Sequence, residues 1–269
     1  MKKIFIIIVA FAPLLALAQE KKLSAKQQKK AEHREKINQM MKQEEEEGAL
    51  IFLKQSAFGI KLNTDGYGIF YEHGKYKTIT KTNLWWLELG EHKHEKEAKV
   101  AKGDNSGFIT SNPFVYGKVN NFYNFKIGLG QQRLIGGKGN KNGVATSFIY
   151  GGGLSLALLK PYYLEVEDPV SGKISDIKYS DNNTLFLDPS AIRGASGFGK
   201  GFKNMTYVPG AYIRTSLRFD YGHYNEVLRA LEVGLNAEFY SKKIEQMALS
   251  KQKQMFINAY VALVFGKRK

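Results

Sequence analysis

The sequence has no cysteine and only six prolines in 269 residues. The absence of cysteine excludes disulfides, cysteine-ligated metal sites and a lipid-modified cysteine. After residue 18 the chain also lacks an apolar run of the roughly 20 residues that a membrane-spanning helix needs. A closed β-barrel is the other structure that can cross a bilayer, because hydrocarbon provides no water to satisfy open strand edges.

The N-terminal residues have the composition of a secretory signal peptide. Lys2 and Lys3 precede an apolar stretch over residues 4–17, and the small-residue motif of residues 16–18 follows. This order predicts cleavage after residue 18 and export of the rest of the chain.

Basic residues outnumber acidic ones by 40 to 25. An excess of this kind can indicate a nucleic-acid-binding protein, but a secretion signal argues against that partner. Anionic lipid head groups or an acidic partner protein fit the charge better. The sequence therefore predicts no nucleic-acid binding.

Residues 19–54 differ in composition from everything that follows. They are rich in Lys, Gln and Glu, begin with basic residues and end close to the acidic run of residues 44–47. Helix propensity predicts a charged helical arm, although its charge order opposes the helix dipole. The arm is interpreted either as a solvated periplasmic segment or as a docking helix for a periplasmic partner or peptidoglycan.

Residues 206–241 show the clearest pattern in the chain. Two arms of alternating apolar and polar residues flank a short polar turn, as in a transmembrane β-hairpin. Each arm reaches the roughly 9–11 residues that a tilted strand needs to cross a bilayer. Some leucines also fall at helical spacing, but Gly234 and the β-branched and aromatic content favour strands.

Similar alternation predicts six more strands within residues 55–269. The eight predicted strands cover residues 56–63, 66–74, 81–92, 119–134, 144–159, the two arms of 206–241, and 255–265. The fold class is therefore all-β, an eight-stranded antiparallel transmembrane β-barrel preceded by a short charged helical arm.

The connections between these strands differ in length at the two ends of the predicted barrel. Short turns are expected near residues 74–80, 136–143 and 222–225, whereas residues 93–118, 165–205 and 242–254 form long connections. Transmembrane barrels have short periplasmic turns and longer external loops. This asymmetry predicts the cell outer membrane, with the arm and the C-terminus in the periplasm, and residues 165–205 as an irregular external loop.

Charged residues fall on the inward face of several predicted strands. The lumen of an eight-stranded barrel is just wide enough for side chains to fill, so these charges must pair. Arg214 and Arg218 are expected to pair with Glu232 and Glu238 on the next strand. The interpretation is a structural plug, with an ion or proton path as the alternative. The proposed lumen charge network comprises Arg214, Arg218, Glu232, Glu238, Lys126 and Glu88, with Lys61 also facing inward.

The sequence predicts no catalytic, cofactor-binding or metal-binding residues. His92 and His94, near several glutamates, are interpreted as a solvated strand end because no third ligand is in a fixed position. The glycine-rich residues 136–143 lack the Gly-Lys-Ser/Thr ending of a phosphate-binding loop. Trp85 and Trp86 suit an aromatic girdle at the membrane interface or, equally, core positions.

The signal peptide, the strand alternation and the closing segment of residues 255–265 (MFINAYVALVF) resemble small outer-membrane β-barrel proteins of Bacteroidota. The likeness is to OmpX/OmpA-like eight-stranded barrels and, more loosely, to PorT-like proteins tied to type IX secretion. One departure is that Phe265 is followed by Gly-Lys-Arg-Lys, whereas many such barrels end on the aromatic residue.

The resemblance implies contact with outer-membrane lipid and lipopolysaccharide. With the arm and the long loop, it leads us to expect a non-enzymatic accessory subunit of a larger envelope complex, in secretion or barrel assembly. The alternatives are a lipid A-modifying enzyme and an adhesion or envelope-stability protein.

Overall fold

The computed structural model describes residues 52–102, 111–138, 143–224 and 226–269, together with Glu32 and Glu35. The predicted signal peptide lies outside the described residues, as does most of the predicted arm. Glu32 and Glu35, within that arm, have helical backbone conformation. In the described part of the chain, no helix is both long enough and apolar enough to cross a membrane.

The chain forms a closed antiparallel barrel of eight strands, which confirms the predicted fold class. The barrel strands begin and end within a few residues of the predicted ones. In chain order the strands are β1 (Lys54–Asn63), β2 (Gly66–Tyr76), β3 (Lys81–His92), β4 (Lys99–Val100), β5 (Phe114–Val115), β6 (Asn120–Gly136), β7 (Ala145–Pro161), β8 (Tyr163–Glu167), β9 (Ile174–Lys178), β10 (Ile192–Ala195), β11 (Thr206–Asp220), β12 (Val227–Ile244) and β13 (Lys253–Arg268). The barrel strands are β1, β2, β3, β6, β7, β11, β12 and β13. Each of them pairs with the next barrel strand along the chain, and β13 pairs with β1 to close the barrel.

The barrel is apolar on its outside and polar on its inside. Leu129, Leu154 and Ile257 on the outer wall are 69%, 73% and 68% exposed, whereas charged residues in the lumen are buried. Successive residues of a strand point to opposite faces, so the alternation in the sequence becomes this division. An apolar wall of this extent is stable only when something other than water covers it.

A tryptophan fills the middle of the lumen. Trp86 is completely buried, and its indole nitrogen donates a hydrogen bond to the Tyr212 hydroxyl. Glycines line the wall that it meets: a Cβ on Gly128 would lie 2.5 Å from Trp86 Cε2, and one on Gly130 would lie 2.7 Å from Cη2. Neighbouring residues of a strand face opposite sides, so Trp85 points outward and Trp86 points into the lumen. Of the two interpretations given for Trp86, the core position is therefore correct and the girdle position is wrong.

The long connections fold into a structured layer at one end of the barrel. β8, β9 and β10 form a three-stranded sheet in the order β10-β8-β9, next to helix α1 (Asn183–Phe186). We call the region from β8 to β10 the cap. Its apolar core comprises Leu164, Val166, Phe186 and Ile192, with Phe114 of β5. The prediction of an irregular loop over residues 165–205 is therefore wrong.

The two ends of the barrel differ in the length of the connections between their strands. At the cap end, the connection after β12 contacts the segment before β6, where Val119 N–H donates a hydrogen bond to the Gln246 carbonyl at 2.8 Å. At the opposite end, the turn end, short turns accompany the start of β1 and the end of β13, where Leu53 N–H donates to the Lys269 carbonyl at 2.7 Å.

Candidate functional site

The lumen contains two linked clusters of buried charges, and the first lies towards the cap end. Lys61 Nζ donates to both carboxylate oxygens of Glu88 at 2.9 Å. Lys126 Nζ bridges the two glutamates of this cluster, at 3.2 Å from Glu88 Oε1 and 2.5 Å from Glu238 Oε1. Tyr240 adds a hydroxyl that donates to Glu238 Oε2 at 2.7 Å. Every oxygen of the two carboxylates therefore accepts at least one hydrogen bond.

The second cluster lies towards the turn end and is built on two arginines. Arg218 donates to Glu232 Oε2 through Nε at 2.9 Å and through Nη2 at 2.6 Å. The same guanidinium binds Glu72, with Nη2 at 2.7 Å from Oε2. Arg214 binds the other oxygen of Glu232, and the Tyr260 hydroxyl donates to that oxygen at 2.6 Å. Glu232 is thus the centre of the cluster.

The structure places all six residues of the predicted lumen network inside the barrel. Both arginines pair with Glu232, and Arg218 stands directly opposite it in the strand register. The predicted pairing of an arginine with Glu238 is wrong, because Glu238 stands opposite Tyr212 and instead meets Lys126 from across the lumen.

Sequence reasoning missed two lumen residues that the alternation could have revealed. Glu72 follows the inward-facing Phe70 by two positions, and His92 follows Glu88 by four, so both lie on the inward face. His92 is buried; its Nδ1 lies 2.8 Å from Asp65 Oδ2 and its Nε2 3.4 Å from Glu238 Oε1. The interpretation of His92 as part of a solvated strand end is therefore wrong.

The charges of the two clusters balance. Lys61, Lys126, Arg214 and Arg218 face Glu72, Glu88, Glu232 and Glu238, which makes four cations and four carboxylates. Aromatic side chains, including Trp86 and Tyr240, occupy the space around them. Across the described residues, no group of three or more His, Cys, Asp or Glu side chains has the geometry to hold a metal ion.

No family profile and no curated protein sequence matches the chain. Solved structures do align with it. Neisserial surface protein A is 10% identical, with a TM-score of 0.35, over 80% of this chain and 94% of that one. The N-terminal β-barrel domain of Pseudomonas aeruginosa OprF is 10% identical, with a TM-score of 0.34, over 79% and 96%. A major outer membrane protein from Thermus thermophilus is 11% identical, with a TM-score of 0.37, over 79% and 99%.

The chain has the fold of an eight-stranded outer-membrane β-barrel. That assignment rests on the closed antiparallel strand pairing and on the apolar outer face of the strands. A row of outward-facing register partners crosses five neighbouring strands near the cap end. In register order it comprises Tyr67, Glu91, Tyr123, Leu158 and Tyr207.

This row, which we call the tyrosine row, borders the apolar part of the wall. The next outward-facing row towards the turn end is apolar, with Ile69, Leu89, Phe125 and Leu156 in register. Tyrosines with an apolar ring and a polar hydroxyl are enriched where a membrane barrel leaves the hydrocarbon. The tyrosine row therefore has the composition of an interfacial girdle.

Proposed function

We propose that the protein is a non-enzymatic outer-membrane β-barrel that acts as an accessory subunit of a larger envelope complex, in secretion or barrel assembly. The observation that carries this proposal is a filled lumen beneath a folded cap. Side chains occupy the cross-section of the barrel, which argues against transport. The cap has an apolar core of its own, so it presents a fixed surface to a partner.

The lumen network has a structural role in this proposal. Every one of its four carboxylates is bound by at least one cation. Removing one member of such a network leaves a buried charge unpaired, so a slipped strand register would be strongly disfavoured. The alternative of an ion or proton path is less well supported, because each carboxylate of the network is already held by a cation.

We propose that the cap faces the outside of the cell and that the N-terminal arm and the C-terminus lie in the periplasm. The short turns at the turn end support this orientation, as does the predicted signal peptide. The lack of native cysteine makes the test direct. Lys173→Cys in the exposed β8–β9 turn should react with a membrane-impermeant maleimide on intact cells. Lys77→Cys, at the turn end, should react only after lysis; the reverse pattern would contradict the orientation.

The proposed partner can be sought by affinity purification from gently solubilised outer membranes. A tag between Lys251 and Gln252 would occupy an exposed stretch of the connection before β13. We expect co-purification of a secretion or barrel-assembly component, and its loss when residues 19–47 are deleted. Recovery of a lone monomer would contradict the subunit role and favour adhesion or envelope stability.

One observation favours a second candidate, a lipid-modifying enzyme. Ser56 Oγ lies 2.9 Å from His73 Nδ1 on the outer wall near the turn end. A serine hydrolase also needs a group that orients the imidazole, and the neighbour of this ring is Trp85, at 5.9 Å between centroids. In the proposed orientation the pair lies far from the lipid A leaflet. A Ser56→Ala strain whose envelope lipids change in mass would favour the enzyme.

A further inference from the structure

A basic cleft lies between the outer wall of the barrel and the overhanging cap. Its volume is about 360 Å³, within the range of small-ligand sites. Tyr67 and Tyr123 of the tyrosine row form part of its floor. Two carboxylates, Glu91 and Glu97, also line it. The lysines that line it are Lys93, Lys99, Lys118, Lys160 and Lys200.

Three of these lysines have no acidic partner. Lys118 Nζ binds Glu97 at 2.7 Å, and Lys200 pairs with Asp176. Lys93, Lys99 and Lys160 have no carboxylate within 4 Å in the part of the chain that the structure describes.

Five lysines face two carboxylates in the lining, so Glu91 and Glu97 offset only part of the positive charge. Glu91 already accepts the hydroxyl hydrogen of Tyr67. Burial raises the pKa of the Tyr162 hydroxyl, which therefore stays neutral in the cleft wall.

Lys160 is the most unusual of the three. It is 3% exposed, and its ammonium donates one hydrogen bond, to the Phe198 carbonyl at 2.7 Å. The ring centroids of Phe198 and Phe202 lie 3.9 Å and 4.4 Å from Nζ. A carbonyl and two ring faces attract a cation but carry no formal charge. A buried cation that contacts no carboxylate is costly, so a bound anion would complete this site.

The cleft lies at a defined depth relative to the apolar wall. Lys160 follows Leu158 of the tyrosine row by two residues on the same face of β7. Two residues advance a strand by about 7 Å. The polar zone on each side of the hydrocarbon core is about 5–8 Å thick. Because barrel strands tilt by about 35–45°, this advance is about 5 Å along the membrane normal, which places the Lys160 backbone in that polar zone.

We propose that this cleft binds the phosphate of an anionic membrane lipid head group, one with net negative charge, in the leaflet next to the cap. The proposal rests on the membrane placement proposed above. The cleft opens onto the lipid-facing wall beside Tyr67 and Tyr123, which favours a lipid over a soluble anion. Lys160 contacts the phosphate, and Lys93 and Lys99 complete the charge neutralisation.

The test uses the full mature chain in nanodiscs of phosphatidylcholine, with or without diphosphorylated lipid A. Native mass spectrometry measures lipid retention, and Lys160→Met keeps the length and packing of the side chain against the two phenylalanines. Loss of a charge-assisted hydrogen bond predicts about tenfold to a hundredfold weaker retention of lipid A. Lys173→Gln, which removes a charge from the exposed β8–β9 turn, is the matched control and should retain lipid A normally.

Thermal unfolding in the same nanodiscs gives a second readout. Phosphatidylcholine is zwitterionic and does not neutralise the cleft, so without lipid A the variant Lys160→Met, which removes an unpaired buried charge, should be at least as stable as the wild type. With lipid A, the wild type should be the more stable of the two. A variant that is less stable in both lipids would overturn the proposal, because Lys160 would then be satisfied by the protein alone.

Three other results would also overturn it. These are equal retention of phosphorylated and dephosphorylated lipid A, unchanged retention by Lys160→Met, and displacement of the lipid by inorganic phosphate at equal concentration. Failure of the partner proposal would not affect this assay, since it uses the isolated chain. A chain that does not insert into nanodiscs would instead refute the membrane placement.

Discussion

Replacing Glu232 by glutamine removes the carboxylate at the centre of the second lumen cluster. Arg218 keeps its pairing with Glu72, but Arg214 loses its ion pair and retains Tyr260, whose hydroxyl accepts from Nε at 2.8 Å. The lumen then holds four cations and three carboxylates. Breaking a buried pair in this way costs about 3–5 kcal/mol. This is a large part of the roughly 5–15 kcal/mol that stabilises a typical domain.

The double variant Arg214→Met with Glu232→Gln tests whether the loss comes from the unpaired charge. It returns the lumen to three cations and three carboxylates, so we expect recovery of most of the lost stability. Glu167→Gln is the control, since it breaks an exposed ion pair with Arg193 in the cap and should cost at most about 1 kcal/mol.

Equilibrium urea unfolding in lipid vesicles, followed by tryptophan fluorescence, measures these differences. Trp86 is a local reporter, because the Arg214 guanidinium carbon lies 5.0 Å from the centroid of its ring. A loss below about 1 kcal/mol for Glu232→Gln would refute the reasoning. So would a double variant no more stable than the single one, because the cost would then not arise from the charge left on Arg214.

Two further predictions concern packing. Gly128→Ala places a methyl group 2.5 Å from Trp86 Cε2 and 2.4 Å from the Tyr212 hydroxyl. We expect a loss of about 1–3 kcal/mol in the free energy of unfolding, measured in the same urea assay. An unchanged urea midpoint would contradict the packing described for Trp86. Phe186→Ala removes the aromatic centre of the cap core and should cost about 3–5 kcal/mol locally. Limited proteolysis should then cut the cap while the unboiled barrel still migrates faster than the boiled one on a gel, and simultaneous loss of both would show that cap and barrel unfold together.

The barrel could be predicted from the sequence because strands with an apolar outer face and a polar inner face impose a two-residue period on it. The predicted third strand, residues 81–92, agrees with β3 (Lys81–His92). The same period, followed strictly, assigns Trp86 to the lumen, since Leu87 and Leu89 face outward. The two-residue period thus decides between the girdle and core positions, which the sequence interpretation left equally open for Trp86.

The cap and the lumen pairings depend on contacts that no local pattern contains. Phe114, Leu164 and Phe186 are separated along the chain by polar stretches, and they form a core only when separate connections meet. Lys126 and Glu238 are 112 positions apart and touch across the lumen. Which carboxylate meets which cation depends on the tilt and stagger of the closed barrel, and these follow from the assembled sheet.

The pairing of β1 with β13 has a consequence for how the barrel is made. Gln55 stands opposite Arg268 and Asn63 opposite Tyr260, so the seam joins strands some two hundred positions apart. Until β13 arrives, β1 and β12 each present an unpaired edge, and hydrocarbon cannot satisfy such an edge. In the proposed membrane placement, strands that enter the bilayer one at a time therefore need another protein to cover these edges. That cover must last until β13, the last barrel strand along the chain, pairs with β1 and closes the seam.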